Sequence, residues 1–491
     1  MADQDGNGTT PNVLLITTDQ HRWDWLGCHG TPGVVTPQLD ALAGRGTRIT
    51  GHVTNSSVCV PARIGLATGR TPLSIGAQSN NDVLDSALPT YYQQLRDAGY
   101  KVGVVGKLDL DKGDLQHGPR GDRPKAYRWG FTHPIETLGK ILAGLPFPNA
   151  PSGPYNMWLQ EQGLWEGFRD DYSARMHEIF AGRPGFGGEK SLSDLWYRDS
   201  VLPTEAWVDH WIGRKACEWL EEVPSGFPWH LYVSFCGPHD PFDPPREFGE
   251  QFRDADVPEP VLDEGTPRAK RFGQSQSALP PDELMKARRQ YTAELAAIDI
   301  QIGEILATLD AIGQTEDTIV MFTADHGEML GDHRLFQKHY GYEPSMRIPM
   351  IAAGPGISNG VSNALTELID VTATILDYTG TEIEEIDGRS LRPIFEHAES
   401  QIRDATTCTE HQHRSIRTDQ WKYIHNVQSP DDPHELYNLF EDPDETTNLI
   451  DSEPSIAEDL LQGLVELLGA EEVLAPIEAE STGFFLAAEG Q

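Results

Sequence analysis

Four short apolar runs constrain the fold of this 491-residue chain more than any other feature. They are Asn12 to Thr18, Lys101 to Val105, His230 to Phe235 and Thr318 to Thr323. Each is rich in β-branched residues and bounded by turn or helix signals, the pattern of a strand buried on both faces of a parallel sheet. Each is followed within a few residues by a polar cluster: Asp19-Gln20, Lys107-Leu108-Asp109, Pro238-His239-Asp240 and Asp325-His326-Gly327. Ligands of open α/β sheets bind outside the carboxyl ends of the strands. Four strand ends that carry polar groups therefore predict one shared site.

Helical patterns fall between these runs, at Pro37 to Gly46, Leu88 to Ala98, Trp207 to Val223 and Asp282 to Ile312. The last repeats Leu295, Ile298, Ile302, Ile305 and Leu309 at helical spacing, a stripe suited to packing on a sheet. Alternating strands and helices predict an α/β fold with a mainly parallel sheet flanked by helices. Residues 112–200 break the rhythm with Gly, Pro and the tryptophans Trp129, Trp158, Trp165 and Trp196. They are either an insertion over the site that shapes substrate choice or an excursion packed on its rim. After residue 380 the pattern changes, with alternation from Trp421 and an amphipathic helical face over Ile456 to Leu468. The expected organisation is a catalytic domain over 1–380 and a smaller C-terminal α+β subdomain over 381–491. Its tail, around Phe484-Phe485-Leu486, is either docked or a subunit contact, which leaves a homo-oligomer open.

Charge narrows the partners. With 38 basic and 76 acidic residues the net charge is −38, which opposes nucleic acid and anionic membrane. An anionic substrate would need a local cationic pocket, and only 11 of the basic residues are Lys, so a Lys at a strand end is informative. The five cysteines, Cys28, Cys59, Cys217, Cys236 and Cys408, are odd in number and include no Cys-x-x-Cys pair, which argues against a disulfide framework or zinc knuckle. The first ten residues are polar and acidic, and no run approaches eighteen apolar residues. The expectation is a soluble, cytoplasmic protein.

The chemistry is concentrated in Cys59-Val60-Pro61-Ala62-Arg63, followed by Leu66-Ala67-Thr68-Gly69-Arg70. This run resembles the Cys-x-Pro-x-Arg signature of type I sulfatases, in which the cysteine is oxidised to formylglycine. Further matching pieces are Pro11 to Gln20, Ala98 to Lys107, Pro238-His239, Thr323 to Gly327, Lys338 and Arg347-Ile348-Pro349. Trp421-Lys422-Tyr423 and Glu435 to Leu439 resemble the family's C-terminal part. In order and spacing the chain resembles a formylglycine-dependent sulfatase of the alkaline phosphatase superfamily. In motif style it is nearest the choline sulfatase and phosphonate monoester hydrolase branches. The resemblance implies an alkaline phosphatase-like fold and a sulfuric ester hydrolase that splits an alkyl, aryl or sugar sulfate into alcohol and sulfate.

The resemblance also implies roles. One divalent metal would be held by Asp19, Gln20, residue 59, Asp325 and His326; hard oxygen donors favour Ca2+, while the Gln and His donors leave Mn2+ open. Pro61 suits the first turn of a helix, so residue 59 would sit at a helix N-terminus that favours an anion. Formylglycine at 59, made by a formylglycine-generating enzyme, would hydrate to a diol. One hydroxyl attacks sulfur, and deprotonating the other expels sulfate and restores the aldehyde. Arg63 could orient the diol, while Lys107 and Lys338 would reach it and the sulfate oxygens. His239 is the expected general acid, with Lys338 as the other contender. Asp109 stands where the family commonly has His, and would serve either as a base or as a partner for a substrate cation. Asn80 and His411 are candidate substrate contacts.

Other functions remain open in the sequence: a phosphonate monoester or phosphodiester hydrolase with the same parts, a binding protein of this fold without chemistry, and a thiol hydrolase pairing Cys59 with His239.

Overall fold

The computed structural model describes residues 10–114, 123–144, 153–180, 197–263, 280–427 and 433–474. In it the run Asn12–Thr18 is buried along its whole length and forms strand β1. Strands β2 (Thr47–Val53), β3 (Lys101–Lys107), β4 (His133–Thr137), β5 (Trp229–Ser234), β6 (Thr318–Ala324), β7 (Met350–Ala353) and β8 (Gly360–Glu367) join it in one sheet, in the order β4-β3-β5-β1-β6-β7-β2-β8. Every neighbouring pair is parallel except the two made by β7, which runs antiparallel to β6 and β2. The four strands expected from the sequence are the contiguous block β3-β5-β1-β6. Their polar carboxyl ends are therefore neighbours.

Alternation along β1 builds both faces of the core. Leu14 and Ile16 pack with Trp211, Ile212, Ile298 and Ile302, from the helices Val208–Glu222 and Pro281–Ala311. Val13 and Leu15 pack with Val60, Ile64, Leu95 and Val371, from helices on the opposite face. This is the helix-flanked, mainly parallel sheet that the alternation predicts. β3 continues past Val105 because Gly106, with φ 108°, lets the chains close up: a Cβ there would meet the Ser234 carbonyl oxygen at 2.0 Å. The helix expected from Leu88 begins only at Tyr91, because Thr90 closes a capping box with Gln93 and the preceding Pro89 disfavours helical backbone before it.

Within residues 112–200, β4 forms one edge of the sheet, and Tyr155, Leu159, Phe168 and Tyr172 enter the face built on Leu14 and Ile16. Trp196 and the apolar tail at Phe484 to Leu486 lie outside the described residues.

A second sheet is made by β9 (Thr406–Glu410), β10 (His413–Arg417), β11 (Trp421–Asn426) and β12 (Glu435–Asn438), antiparallel throughout. The helix Pro454–Leu468 covers it, packing Ala457 and Leu464 against Ile416, Tyr423 and Leu436. A buried ion cluster ties it to the first sheet's side: Glu343 meets Arg417 at 3.0 Å and Lys422 at 2.7 Å. Among the described residues no helix is long and apolar enough to cross a membrane.

Candidate active site

Residue 59 opens the helix Cys59–Thr68, all ten residues of which are buried. The extended residue Val58 precedes it, Pro61 lies in its first turn, and the Ala62 N–H returns to the Val58 carbonyl at 3.1 Å. The Val60 N–H donates to Oδ1 of Asn80 at 3.1 Å, so Asn80 steadies the start of this helix.

Asp19 and Gln20 end β1, where Gln20 takes left-handed backbone (φ 67°) and donates its N–H to Asp325 Oδ1 at 3.0 Å. That bond ties the ends of β1 and β6 together. Arg63, one turn into the helix from residue 59, gathers all four central strands. Its Nη2 meets Asp19 Oδ2 at 3.0 Å and its Nε meets Asp325 Oδ2 at 2.8 Å. Its Nη1 donates to Ser234 Oγ at 2.8 Å and to the Lys107 carbonyl at 2.7 Å. A planar fork of fixed donors suits this task as an ammonium would not.

Asp19, Cys59, Asp325 and His326 each offer one donor atom, and these atoms lie within 4.8 Å of one another, all four side chains buried. Cys59 Sγ is 3.2 Å from His326 Nε2, which is 3.8 Å from Asp19 Oδ1 and 3.7 Å from Asp325 Oδ1. Nδ1 of His326 faces the Gly327 carbonyl at 3.0 Å, so Nδ1 carries the proton and Nε2 presents its lone pair inward. The Gln20 side chain bridges neighbours of the cluster. Its Oε1 accepts from Lys338 at 2.9 Å, and its Nε2 donates to Asp240 at 3.1 Å and to Glu328.

Cations surround the cluster. Lys107 pairs with Asp19 and reaches Asp109 at 3.1 Å. Lys338 Nζ lies 2.9 Å from Cys59 Sγ and 2.8 Å from His239 Nε2. Burial alone would raise the Cys59 thiol, yet Lys112, Lys338 and Lys107 together hold it well below its ordinary value. Burial and Cys59 would likewise raise Asp19, but Lys107 and Arg63 keep it far below the carboxylate range. His411 lies in the turn joining β9 to β10, beside Glu410, whose carboxylate meets His339 at 3.1 Å.

Sequence reasoning missed three contributors. Lys112 pairs with Asp109 at 3.0 Å, and its only signal was that it prolongs the polar stretch after β3. Glu328 receives the Gln20 amide, its signal being its place just after Asp325-His326-Gly327. Tyr291 donates to the Gln20 carbonyl at 2.8 Å from a helix no motif marked.

A family model described as "Sulfatase" matches residues 11–381. The chain belongs to the sulfatase family. A second model, "N-sulphoglucosamine sulphohydrolase, C-terminal", matches residues 331–470 of this sulfatase. A choline-sulfatase of Rhizobium meliloti (strain 1021) is 29% identical to it over 90% of this chain and 83% of its own. An arylsulfatase of Clostridium perfringens (strain 13 / Type A) is 28% identical over 90% and 91%. The crystal structure of the phosphonate monoester hydrolase of Agrobacterium radiobacter superposes with a TM-score of 0.73 at 25% identity, covering 93% of this chain and 95% of that one. As a member of its family the protein is a hydrolase of sulfate esters.

Proposed function

We propose that this sulfatase cleaves an organic sulfate monoester with a nucleophile made from Cys59 by oxidation to formylglycine. The observation that carries this reading is the meeting of Asp19, Cys59, Asp325 and His326 within 4.8 Å of one another. Two buried carboxylates this close would repel one another without a cation. Arg63 meets one oxygen of each, while Asp325 Oδ1, Asp19 Oδ1 and the His326 nitrogen still face the Sγ side. The donor set fits a divalent metal, and the imidazole nitrogen inclines it toward Mn2+ over Ca2+. Bound there, such an ion would polarise a sulfuryl oxygen and favour ionisation of a hydroxyl.

The chain's own residues carry the rest. Arg63 fixes both carboxylates and the strand ends. The hydrated aldehyde at residue 59 attacks sulfur from a helix N-terminus, where backbone N–H groups favour negative charge. Lys107 and Lys338 are the cations against which charge on the transferred group develops. The Lys338 and His239 pair gives a proton to the leaving alcohol oxygen. The second hydroxyl of residue 59 then returns a proton to the Lys338 and His239 pair, and its oxygen re-forms the aldehyde C=O as the C–O bond to sulfate breaks.

Mass spectrometry of the peptide containing residue 59 tests the nucleophile: conversion removes one sulfur and two hydrogens and adds one oxygen. Turnover of p-nitrophenyl sulfate against a phosphonate and a diester analogue tests the substrate. Cleavage of the phosphorus compounds alone would replace sulfate ester hydrolysis by phosphonate or diester hydrolysis on the same residues.

A further inference from the structure

Lys112 belongs to none of the short motifs that stand out in the sequence, yet the fold delivers it to the site. The chain reverses after β3 at Asp109, whose backbone is left-handed (φ 53°). The turn that follows is firmly held. Arg123 donates to the carbonyls of Asp111 at 3.1 Å and Asp114 at 3.2 Å, Lys125 pairs with the Asp111 carboxylate, and Asp111 bridges to Val83. Lys112 is thereby folded back over the end of β3, where its ammonium lies 3.0 Å from Asp109 Oδ2; Lys107 lies 3.1 Å from the same oxygen. The Lys112 side chain is only 9% exposed.

Donor counting separates the three lysines. An ammonium has three N–H groups and accepts nothing. Lys338 has Gln20 Oε1, Cys59 Sγ and His239 Nε2 around it. Lys107 has Asp19 and Asp109. Lys112 has Asp109 alone among the described residues. Its remaining N–H groups face no protein acceptor among the described residues, and an arriving tetrahedral oxyanion would supply acceptors to them.

We propose that Lys112 is a sulfate-binding residue, an ammonium that Asp109 holds beside Lys107 to receive an oxygen of the transferred sulfuryl group. Asp109 is then a positioning residue. Shared between two ammoniums, its oxygen serves neither as the base that a histidine would be at this place nor as a docking point for a substrate cation. The two ammoniums bring positive charge to this end of the site inside a strongly acidic protein, which favours an oxyanion. The proposal rests on the sulfate ester reading above, and its test is chosen to separate the two.

The experiment uses the full-length, metal-loaded protein, with inorganic sulfate as the probe in isothermal titration calorimetry. In parallel, p-nitrophenol is measured as an inhibitor or, failing turnover, as a calorimetric ligand. In Lys112→Ala, sulfate affinity is expected to fall at least tenfold, KM for p-nitrophenyl sulfate to rise, and p-nitrophenol binding to stay within twofold. Lys112→Met, which keeps the volume of the side chain, is expected to behave alike and replaces the alanine variant if that one does not fold. Sulfate affinity within twofold of the parent in a folded variant overturns the proposal. So does a parallel loss of sulfate and p-nitrophenol binding, which assigns Lys112 a structural role. A parent protein that binds sulfate but hydrolyses no sulfate ester would refute the activity reading while leaving the Lys112 comparison intact.

Discussion

Lys338 Nζ lies 2.8 Å from Nε2 of His239, while Nδ1 of the same ring meets the Asp240 carbonyl at 2.6 Å. A carbonyl only accepts, so Nδ1 carries its proton and Nε2 receives one from Lys338. The two contenders for general acid are thus one unit that shares a mobile proton. Lys338→Ala and His239→Ala are each expected to lower kcat for an alkyl sulfate by about 10²–10⁴. The double variant is expected to be about as slow as the slower single, because residues acting as a unit are not additive. With p-nitrophenyl sulfate, whose phenolate departs unprotonated, the losses shrink. Steady-state kinetics on both esters checks this, and independent, multiplicative losses would refute it.

Arg63 is placed to hold the site together more than to touch substrate. Replacing it with Ala leaves Asp19 and Asp325 buried side by side without their guanidinium, and breaking buried pairs of this kind costs about 3–5 kcal/mol. Arg63→Lys is expected to recover little, since one ammonium cannot reach two carboxylates, a hydroxyl and a carbonyl in four directions. Urea unfolding of the metal-free protein reads this directly; a lysine variant as stable as the parent would contradict it.

The centre of the fold was legible for a physical reason. β1, β3, β5 and β6 are buried on both faces, so their sequences are continuous apolar runs, and the polar residues just beyond them stand out. The outer strands hide. β4 carries Pro134, tolerated at an edge, and β2 reads Thr-Arg-Ile-Thr-Gly-His-Val, with Arg48 and Thr50 half-exposed. In the site, Asp19, Asp325, His326 and Lys338 follow from strand ends and motifs. Lys112 does not, because only the left-handed turn at Asp109 and the bonds that pin residues 111–114 bring it back. Gln20 shows the same limit: its neighbourhood was legible, but its rotation toward Lys338, Asp240 and Glu328 depends on partners distant in sequence.

Metal removal should be visible in both activity and stability. Dialysis against a chelator is expected to abolish turnover and lower the unfolding midpoint, because an ion bound only by the folded state stabilises it by mass action. Add-back is expected to restore both, Mn2+ at lower concentration than Ca2+, given the nitrogen donor of His326. Asp325→Asn is expected to hold less metal, measured by elemental analysis of the dialysed protein. Full activity after exhaustive chelation, with no metal detected, would rule out the ion.

Acid sensitivity is expected where the two sheets are tied. Glu343 meets Arg417 at 3.0 Å, Lys422 at 2.7 Å and Arg347 at 3.3 Å. Burial alone would raise its carboxyl, but Arg417, Lys422 and Arg347 outweigh burial and hold it well below the carboxylate range. In the unfolded chain it titrates near about 4.3. Between the two values the unfolded state binds the extra proton. The stabilisation from Glu343 is therefore fully present above the unfolded value and drains away as pH falls through the folded one. Glu343→Gln leaves two arginines and a lysine facing a neutral amide, with Lys422 keeping another carboxylate, Glu445 at 2.7 Å. It is expected to be about 3–5 kcal/mol less stable than the parent at pH 7, with the gap closing as the pH is taken below about 4. Urea unfolding of both proteins at pH 7 and in acid measures the gap, and a difference that stays constant with pH would remove Glu343 as the titrating tie.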